Sequence, residues 1–195
     1  MKVLLATRNI HKVEEISAVL ENLDFEIYSL VNFPEIGEIE ETGSTLLENS
    51  LIKARTAFKF TGIPAIADDT GLEVDALYGA PGVFSARYAG EKASYEENCS
   101  ELLKNLKPFK EGKRSAQFRT VLSYVDQDRE FWTEGIIRGV ITTSPRGKGG
   151  FGYDSIFMLP ELNKTFAELN AAGKNAVSHR GRALKNLRKL LQKQL

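Results

Sequence analysis

The 195-residue chain predicts an α/β fold built on a mixed β-sheet flanked by helices. Two observations carry that prediction. Short apolar runs that read as buried strands interleave with segments whose apolar residues recur three and four apart, the period of an amphipathic helix. Later in the chain, two alternating segments are joined by a short polar turn, which adds a hairpin to strands of the parallel type. No internal repeat, low-complexity tract or linker breaks the chain, so it reads as a single domain over residues 1–195.

The elements follow in order. Lys2 to Ala6 reads as a short buried strand, broken by Thr7-Arg8-Asn9. Val13, Ile16, Leu20 and Leu23 mark a helix, and Phe25 to Leu30 a second strand. Residues 31–43 are polar and irregular. Thr45 followed three residues later by Glu48 is a capping box. The helix it opens shows Leu47, Leu51, Ala54 and Phe58 on one face and Asn49, Lys53 and Thr56 on another. Gly62-Ile63-Pro64 ends it, and a strand begins at Ala65. Ser94 and Glu97 form a second capping box, for a helix reaching about Leu106. Ala116, Phe118, Leu122 and Tyr124 alternate along a strand, Asp126-Gln127-Asp128 turns, and Phe131 to Thr142 returns antiparallel to it. A glycine-rich loop spans Ser144 to Gly152, followed by a stretch from Tyr153 to Phe157 that reads as extended. Ala183, Leu184, Leu187, Leu190 and Leu191 line a closing helix.

Composition narrows the function. Lys plus Arg and Asp plus Glu are 26 each, so no overall charge favours nucleic acid or a membrane surface. Cys99 is the only cysteine, which rules out an intramolecular disulfide and a cysteine-based metal site. The apolar start, MKVLLATRN, is too short for a signal peptide or a spanning helix, and a cytoplasmic location is expected.

Several segments then need a chemical reason. Asp68-Asp69 follows an apolar run, at the carboxyl end of a strand where α/β sheets place their sites. Neighbours on a strand point to opposite faces, so one acid can face a cleft while the other braces the loop. A plain Asx-turn is the competing reading. Glu38, Glu40 and Glu41 cluster in an irregular loop. With Asp69 they could hold Mg²⁺, which takes one or two carboxylates and substrate phosphates; a solvated acidic loop is the alternative. Thr7 to Lys12 lies between a strand and a helix N-terminus, a position suited to phosphate, or simply to an N-cap at Asn9. Gly147 to Gly152 spells G-x-G-x-x-G, but no helix pattern follows it, which excludes the dinucleotide motif. Phe151 and Tyr153 could stack a base or serve as core aromatics. Ser178-His179-Arg180, with Lys174 before it, places cationic groups at a helix start, against the helix dipole; a bound anion or polar ligand would explain them, as would a simple Ser178 cap.

Together these segments resemble the inosine triphosphate pyrophosphatase family, in particular its bacterial dITP/XTP pyrophosphatases. The matching pieces are LLATRNIHK, EETGSTLLENSLIKA, IADDTGLEVDALYGAPGVFSARYAG, GGFGYDSIF and SHRGRAL, collinear from end to end. The resemblance implies an elongated mixed sheet with helices, in two lobes around a substrate cleft. It implies hydrolysis of non-standard purine triphosphates (ITP, dITP, XTP) to monophosphate and pyrophosphate, with Mg²⁺, by a homodimer. By resemblance, Asp69 is the general base and, with Glu41, a metal ligand. Thr7, Arg8, Asn9, Ile10, His11 and Lys12 contact phosphate, with Lys53 supplying charge and Thr70 standing where serine is common. Phe151, Gly152, Tyr153 and Asp154 line the base pocket, and Lys174, His179 and Arg180 close over base and phosphate. Arg8 and His11 replace glycines common in the family's first loop, and Ser155 replaces a proline. Two other readings compete: a Maf-like pyrophosphatase acting on modified pyrimidine nucleotides, and a nucleotide or single-strand binder using Phe151 and Tyr153 as a platform. Neutral net charge and the paired acids weigh against the binder, so nucleotide substrate rather than nucleic acid is expected.

Overall fold

A computed structural model describes residues 1–21 and 23–194. In chain order the strands are β1 (Lys2–Leu5), β2 (Glu26–Ser29), β3 (Ala65–Val74), β4 (Pro81–Gly82), β5 (Ser115–Val125), β6 (Glu130–Ile141), β7 (Phe157–Leu159) and β8 (Lys164–Thr165). The helices are α1 (Ile10–Leu20), α2 (Leu46–Thr61), α3 (Tyr95–Asn105), α4 (Ala171–Val177) and α5 (His179–Gln194). The strands form one sheet in the order β2-β1-β3-β5-β6-β7-β8, with β4 beside β3. β1 pairs in parallel with β2 and β3, whereas β3–β4, β6–β7 and β7–β8 are antiparallel. The mixed α/β sheet expected from the sequence is therefore present. Among the described residues, no helix is long and apolar enough to cross a membrane.

The chain divides into two units. One comprises Met1–Asp69, Thr120–Gly135 and His179–Leu195, the other Thr70–Arg119 and Ile136–Ser178. In the first, strand alternation sorts side chains into two layers. Val3, Leu5, Ile66, Leu122 and Tyr124 pack with Ile16 and Leu20 of α1 and with Ala183, Leu184 and Leu187 of α5. Leu4, Ala65, Ala67 and Val125 face the other way, onto Ala54 and Ala57 of α2. The second unit has its own core, in which Phe118, Phe157 and Phe166 meet at 4.7 to 5.9 Å between ring centres. Each fully buried Leu or Phe contributes roughly 1.5–3 kcal/mol, so these layers hold the sheet that carries the polar groups described below.

Helix starts match the sequence signals. Thr45 Oγ1 accepts the Glu48 N–H at 3.1 Å while Glu48 Oε2 accepts the Thr45 N–H at 3.2 Å. Ser94 and Glu97 repeat the arrangement for α3. Asp126 Oδ1 accepts the N–H groups of Asp128 and Arg129, closing the turn between β5 and β6.

Four features differ from the sequence reading. β3 does not stop before the acids but runs through Asp68 and Asp69 to Val74. Its parallel register with β1 ends at Leu5 opposite Ile66, so the acids lie just beyond the stretch paired with β1, on a strand that continues. The buried face of α2 is Leu46, Asn49, Ser50, Lys53, Ala54 and Ala57, while Leu47 and Leu51 are half-buried and Thr56 is exposed. Buried ion pairs and hydrogen bonds at Asn49, Ser50 and Lys53 override the apolar stripe. Tyr153 to Ile156 form a turn rather than extended chain, because Tyr153 accepts the N–H groups of Ile156 and Phe157 and Asp154 accepts that of Phe151. Finally, the segment between the glycine-rich loop and the closing helix contains the β7–β8 hairpin and α4, which no strong periodicity announced.

Candidate active site

The first unit gathers the charged groups. Alternation along β3 sends Asp68 to the same side as Ile66, toward α1 and α5, and Asp69 to the side of Ala65 and Ala67, toward α2. Each acid therefore meets different cations. Asp69 Oδ1 lies 3.6 Å from Lys53 Nζ, and the same ammonium lies 2.7 Å from Glu41 Oε1. Asp68 Oδ2 lies 3.1 Å from Lys12 Nζ and 3.3 Å from an Arg180 guanidinium nitrogen. Glu15, one turn after Lys12 on α1, takes the far side of the same guanidinium. Among the described residues, Lys12, Lys53 and Arg180 thus meet Asp68, Asp69, Glu41 and Glu15.

The electrostatics follow from those contacts. Burial alone would raise Asp68, but Lys12 and Arg180 outweigh it and hold its carboxyl well below the usual carboxylate range. Asp69 moves the other way. Burial pushes its carboxyl up, and Glu41 and Asp68 add to the push against Lys53 and Lys12. Lys53 also stands above its ordinary value, because Asp69 and Glu41 together overcome the cost of burying it. The two upward shifts are compatible: Lys53 sits closer to Glu41 than to Asp69 and leaves Asp69 under-neutralised. Burial lowers the Lys12 ammonium, with Lys53 and Arg180 helping and Asp68 opposing.

Neutral contacts hold the groups in place. Ser50 Oγ donates to the Ala67 carbonyl at 3.1 Å and meets Ser123 Oγ at 2.7 Å, clamping β3 one residue before Asp68. The Gly43 N–H donates to Asn49 Oδ1 at 2.8 Å, tying the Glu41 loop to α2. A Cβ on Gly43 would come within 2.6 Å of Glu48 and 2.7 Å of Asn49, so the loop can approach α2 this closely only with glycine there. At the start of α5, Gly135 of β6 plays a similar part. A Cβ there would stand 2.1 Å from the His179 carbonyl oxygen, and nearby Thr133 Oγ1 donates to the Ala183 carbonyl at 3.0 Å.

The first loop is only partly directed at this cluster. Asn9 Oδ1 accepts the N–H groups of His11 and Lys12, so it caps α1 itself. Thr7 Oγ1 accepts the Asn9 N–H. Arg8 reaches the carbonyls of Leu30 and Gly37 at 3.1 and 2.7 Å and so ties down the following loop. Ile10 and His11 are exposed, and Lys12 alone of the six joins the buried charges.

The second unit holds the aromatic candidates. Asp154 Oδ2 accepts the Phe151 N–H at 2.9 Å and pairs with Lys174 Nζ at 2.6 Å. The Lys174 ammonium also lies 4.5 Å from the centre of the Phe151 ring, a cation–π distance. Gly150 has φ +72°, and a Cβ on it would strike Asp154 Oδ2 at 2.1 Å. Tyr153 is a core side chain whose hydroxyl donates to the Ser85 carbonyl at 2.9 Å. The Cys99 thiol, pushed up to about 11 by burial, meets the Gly152 carbonyl. Thr70 is half-buried, and in the first unit His179 is buried at the first turn of α5.

Glu15, Asn49, Ser50 and Ser123 escaped the sequence reading. Asn49 carried a signal, since it shares a face with Lys53. The serines and Glu15 carried none, because their partners lie on other elements.

A metal could be held here. Among the described residues no three His, Cys, Asp or Glu side chains cluster into a complete protein site. Mg²⁺ does not need one: one or two carboxylates plus water and phosphate oxygens suffice. Glu41 and Asp69 converge on a single ammonium, a donor set that fits a hard cation.

Comparison with known proteins agrees with the motifs. The chain is 50% identical over 184 residues to a protein of Geobacter sulfurreducens named dITP/XTP pyrophosphatase, covering 94% of this chain and 92% of that one. It is 48% identical to one of the same name from Shigella flexneri, covering 95% of each. Among solved structures it matches a HAM1 protein from Coxiella burnetii with TM-score 0.91 at 42% identity, over 99% of both chains. The Staphylococcus aureus Ham1 protein matches with TM-score 0.90 at 37% identity, over 100% of both. The family resemblance read from the sequence is thereby borne out. A model of the Ham1 family matches residues 3–190, and the chain belongs to that family.

Proposed function

We propose that this chain hydrolyses dITP and XTP, together with ITP, to the nucleoside monophosphate and pyrophosphate in a Mg²⁺-dependent reaction. The observation that carries the reading is the Glu41–Lys53–Asp69 set, two carboxylates that converge on one ammonium. That arrangement suits a site whose remaining positive charge arrives with the substrate. The family membership supports the reaction, since the curated relatives are named for it.

Glu41 and Asp69 would hold Mg²⁺, which would supply charge neutralisation to the phosphate oxygens. Asp69 accepts the proton of the attacking water as the new bond to the α-phosphorus forms. The bond from that phosphorus to the bridging oxygen breaks, and pyrophosphate leaves with the electron pair. Lys12 and Lys53 offset the negative charge that grows on the phosphate oxygens. Thr7, Asn9 and Thr70 add polar contacts to the phosphates. At the base end, the Phe151 ring stacks the purine, and backbone N–H groups near Asp154 favour a 6-oxo group over the 6-amino group of adenine. Homodimeric assembly and a cytoplasmic setting belong to the same reading.

The test is turnover of dITP, XTP, ITP, GTP and ATP with Mg²⁺, scoring pyrophosphate against orthophosphate, in the wild type and Asp69→Asn. Pyrophosphate from the 6-oxo purines that lack a 2-amino group, reduced about 10²–10⁴-fold in Asp69→Asn, is expected. Orthophosphate release, or equal rates on ATP and ITP, would overturn the reading.

A further inference from the structure

We propose that Glu15 is a positioning residue for this site, acting through Arg180 on Asp68 and Lys12; the proposal rests on the pyrophosphatase reading. Glu15 lies one helical turn after Lys12, so both project from the same face of α1. Arg180 is the second residue of α5, and Asp68 stands on β3. The Arg180 side chain is only 3% exposed and Asp68 is fully buried, so each of their charges needs a partner inside the protein.

The guanidinium is shared. Its Nε and Nη2 reach the same Asp68 oxygen at 3.4 and 3.3 Å, both long for a charge-assisted hydrogen bond. Nη1 donates to Glu15 Oε2. Glu15 therefore takes one side of the guanidinium and Asp68 the other. This matters because Asp68 Oδ2 is also the oxygen that meets Lys12 at 3.1 Å. Without the Glu15 charge, Arg180 closes onto Asp68 and competes with Lys12 for one oxygen. The Lys12 ammonium then loses its fixed place, and with it the alignment toward phosphate. Arg180 in this arrangement serves the phosphate end indirectly.

The experiment is a double-mutant cycle between Glu15→Gln and Lys12→Met, read as kcat and KM on dITP and as pyrophosphate binding by calorimetry. Glu15→Gln is expected to lower kcat/KM about tenfold, mainly through KM, and to weaken pyrophosphate binding by a similar factor. In the Lys12→Met background the same change is expected to cost less than about twofold, because the residue it positions is gone. Glu15→Asp keeps the charge and is expected to recover part of the loss. Circular dichroism and thermal midpoints establish that each variant is folded. If Glu15→Gln does not fold, Glu15→Asp is carried through the same cycle. Wild-type kinetics for Glu15→Gln, an undiminished tenfold loss in the Lys12→Met background, or failure of both Glu15 variants to fold would overturn the proposal. Pyrophosphate binding reads the coupling independently of turnover, so a wild type inactive on dITP would count against the functional reading and leave this test standing.

Discussion

Asp68 and Asp154 are both buried aspartates that face buried cations, one in each unit, and they are held in opposite ways. Asp68 is shared by Lys12 and Arg180, the latter 112 positions away in sequence. Asp154 closes its own turn through the Phe151 N–H three residues before it and pairs with one lysine 20 positions on. The first network spans a strand and two helices and assembles only when all three have packed. The second is largely local, framed by glycines whose backbone leaves room for the carboxylate. A charge cluster that joins distant elements holds those elements together as well as shaping the site, whereas a local one mainly shapes a loop.

That contrast can be broken by the same substitution at each position. Asp68→Asn leaves the buried Arg180 and the half-buried Lys12 without their shared anion and is expected to cost about 4–5 kcal/mol. Asp154→Asn strands one lysine, keeps an acceptor for the Phe151 N–H, and is expected to cost about 3 kcal/mol. Urea midpoints at constant slope compare the two. Equal losses would show that the long-range network adds nothing beyond a single ion pair.

A smaller effect sharpens the picture of the first unit. Gly135→Ala places a methyl carbon where the His179 carbonyl oxygen lies, and α5 must shift to admit it. The expected cost is about 1–3 kcal/mol, accompanied by a loss of turnover larger than that of an equally destabilised surface variant. Unchanged turnover would mean that the start of α5 tolerates displacement. The smallest effect belongs to Arg55 and Glu130. Two hydrogen bonds of 2.6 Å join them, yet both side chains are exposed. Arg55→Ala is expected to cost under about 1 kcal/mol in a urea melt, despite geometry better than that of the Asp68–Arg180 contact. A large loss there would remove burial as the factor that separates strong from weak ion pairs in this protein.

Much of the fold was legible in the sequence, because helix starts and strand faces depend on neighbours a few residues apart. Both capping boxes formed as read, and the turn at Asp126 closed as expected. The α2 face was misread for a definite reason. Hydropathy favoured Leu47 and Leu51, yet the helix turns Asn49, Ser50 and Lys53 inward, where each finds a polar partner. Periodicity scores apolar burial and is blind to a polar residue whose cost is offset by a distant bond. The stretch from Tyr153 was misread similarly, since its turn depends on the Asp154 carboxylate bonding back to Phe151.

For the candidate site, the sequence alone placed Asp68 and Asp69 side by side at the end of a strand and offered a split to opposite faces, with an Asx-turn as the alternative. It also carried the collinear motifs that mark the family. Only the tertiary structure decided which charges each acid meets: Lys12 and Arg180 for Asp68, Lys53 and Glu41 for Asp69, with Glu15 completing the first set. The physical reason is range. Backbone geometry acts over a turn or a strand pair and is written in local spacing, whereas a buried charge is matched by whichever opposite charge the packed layers bring beside it.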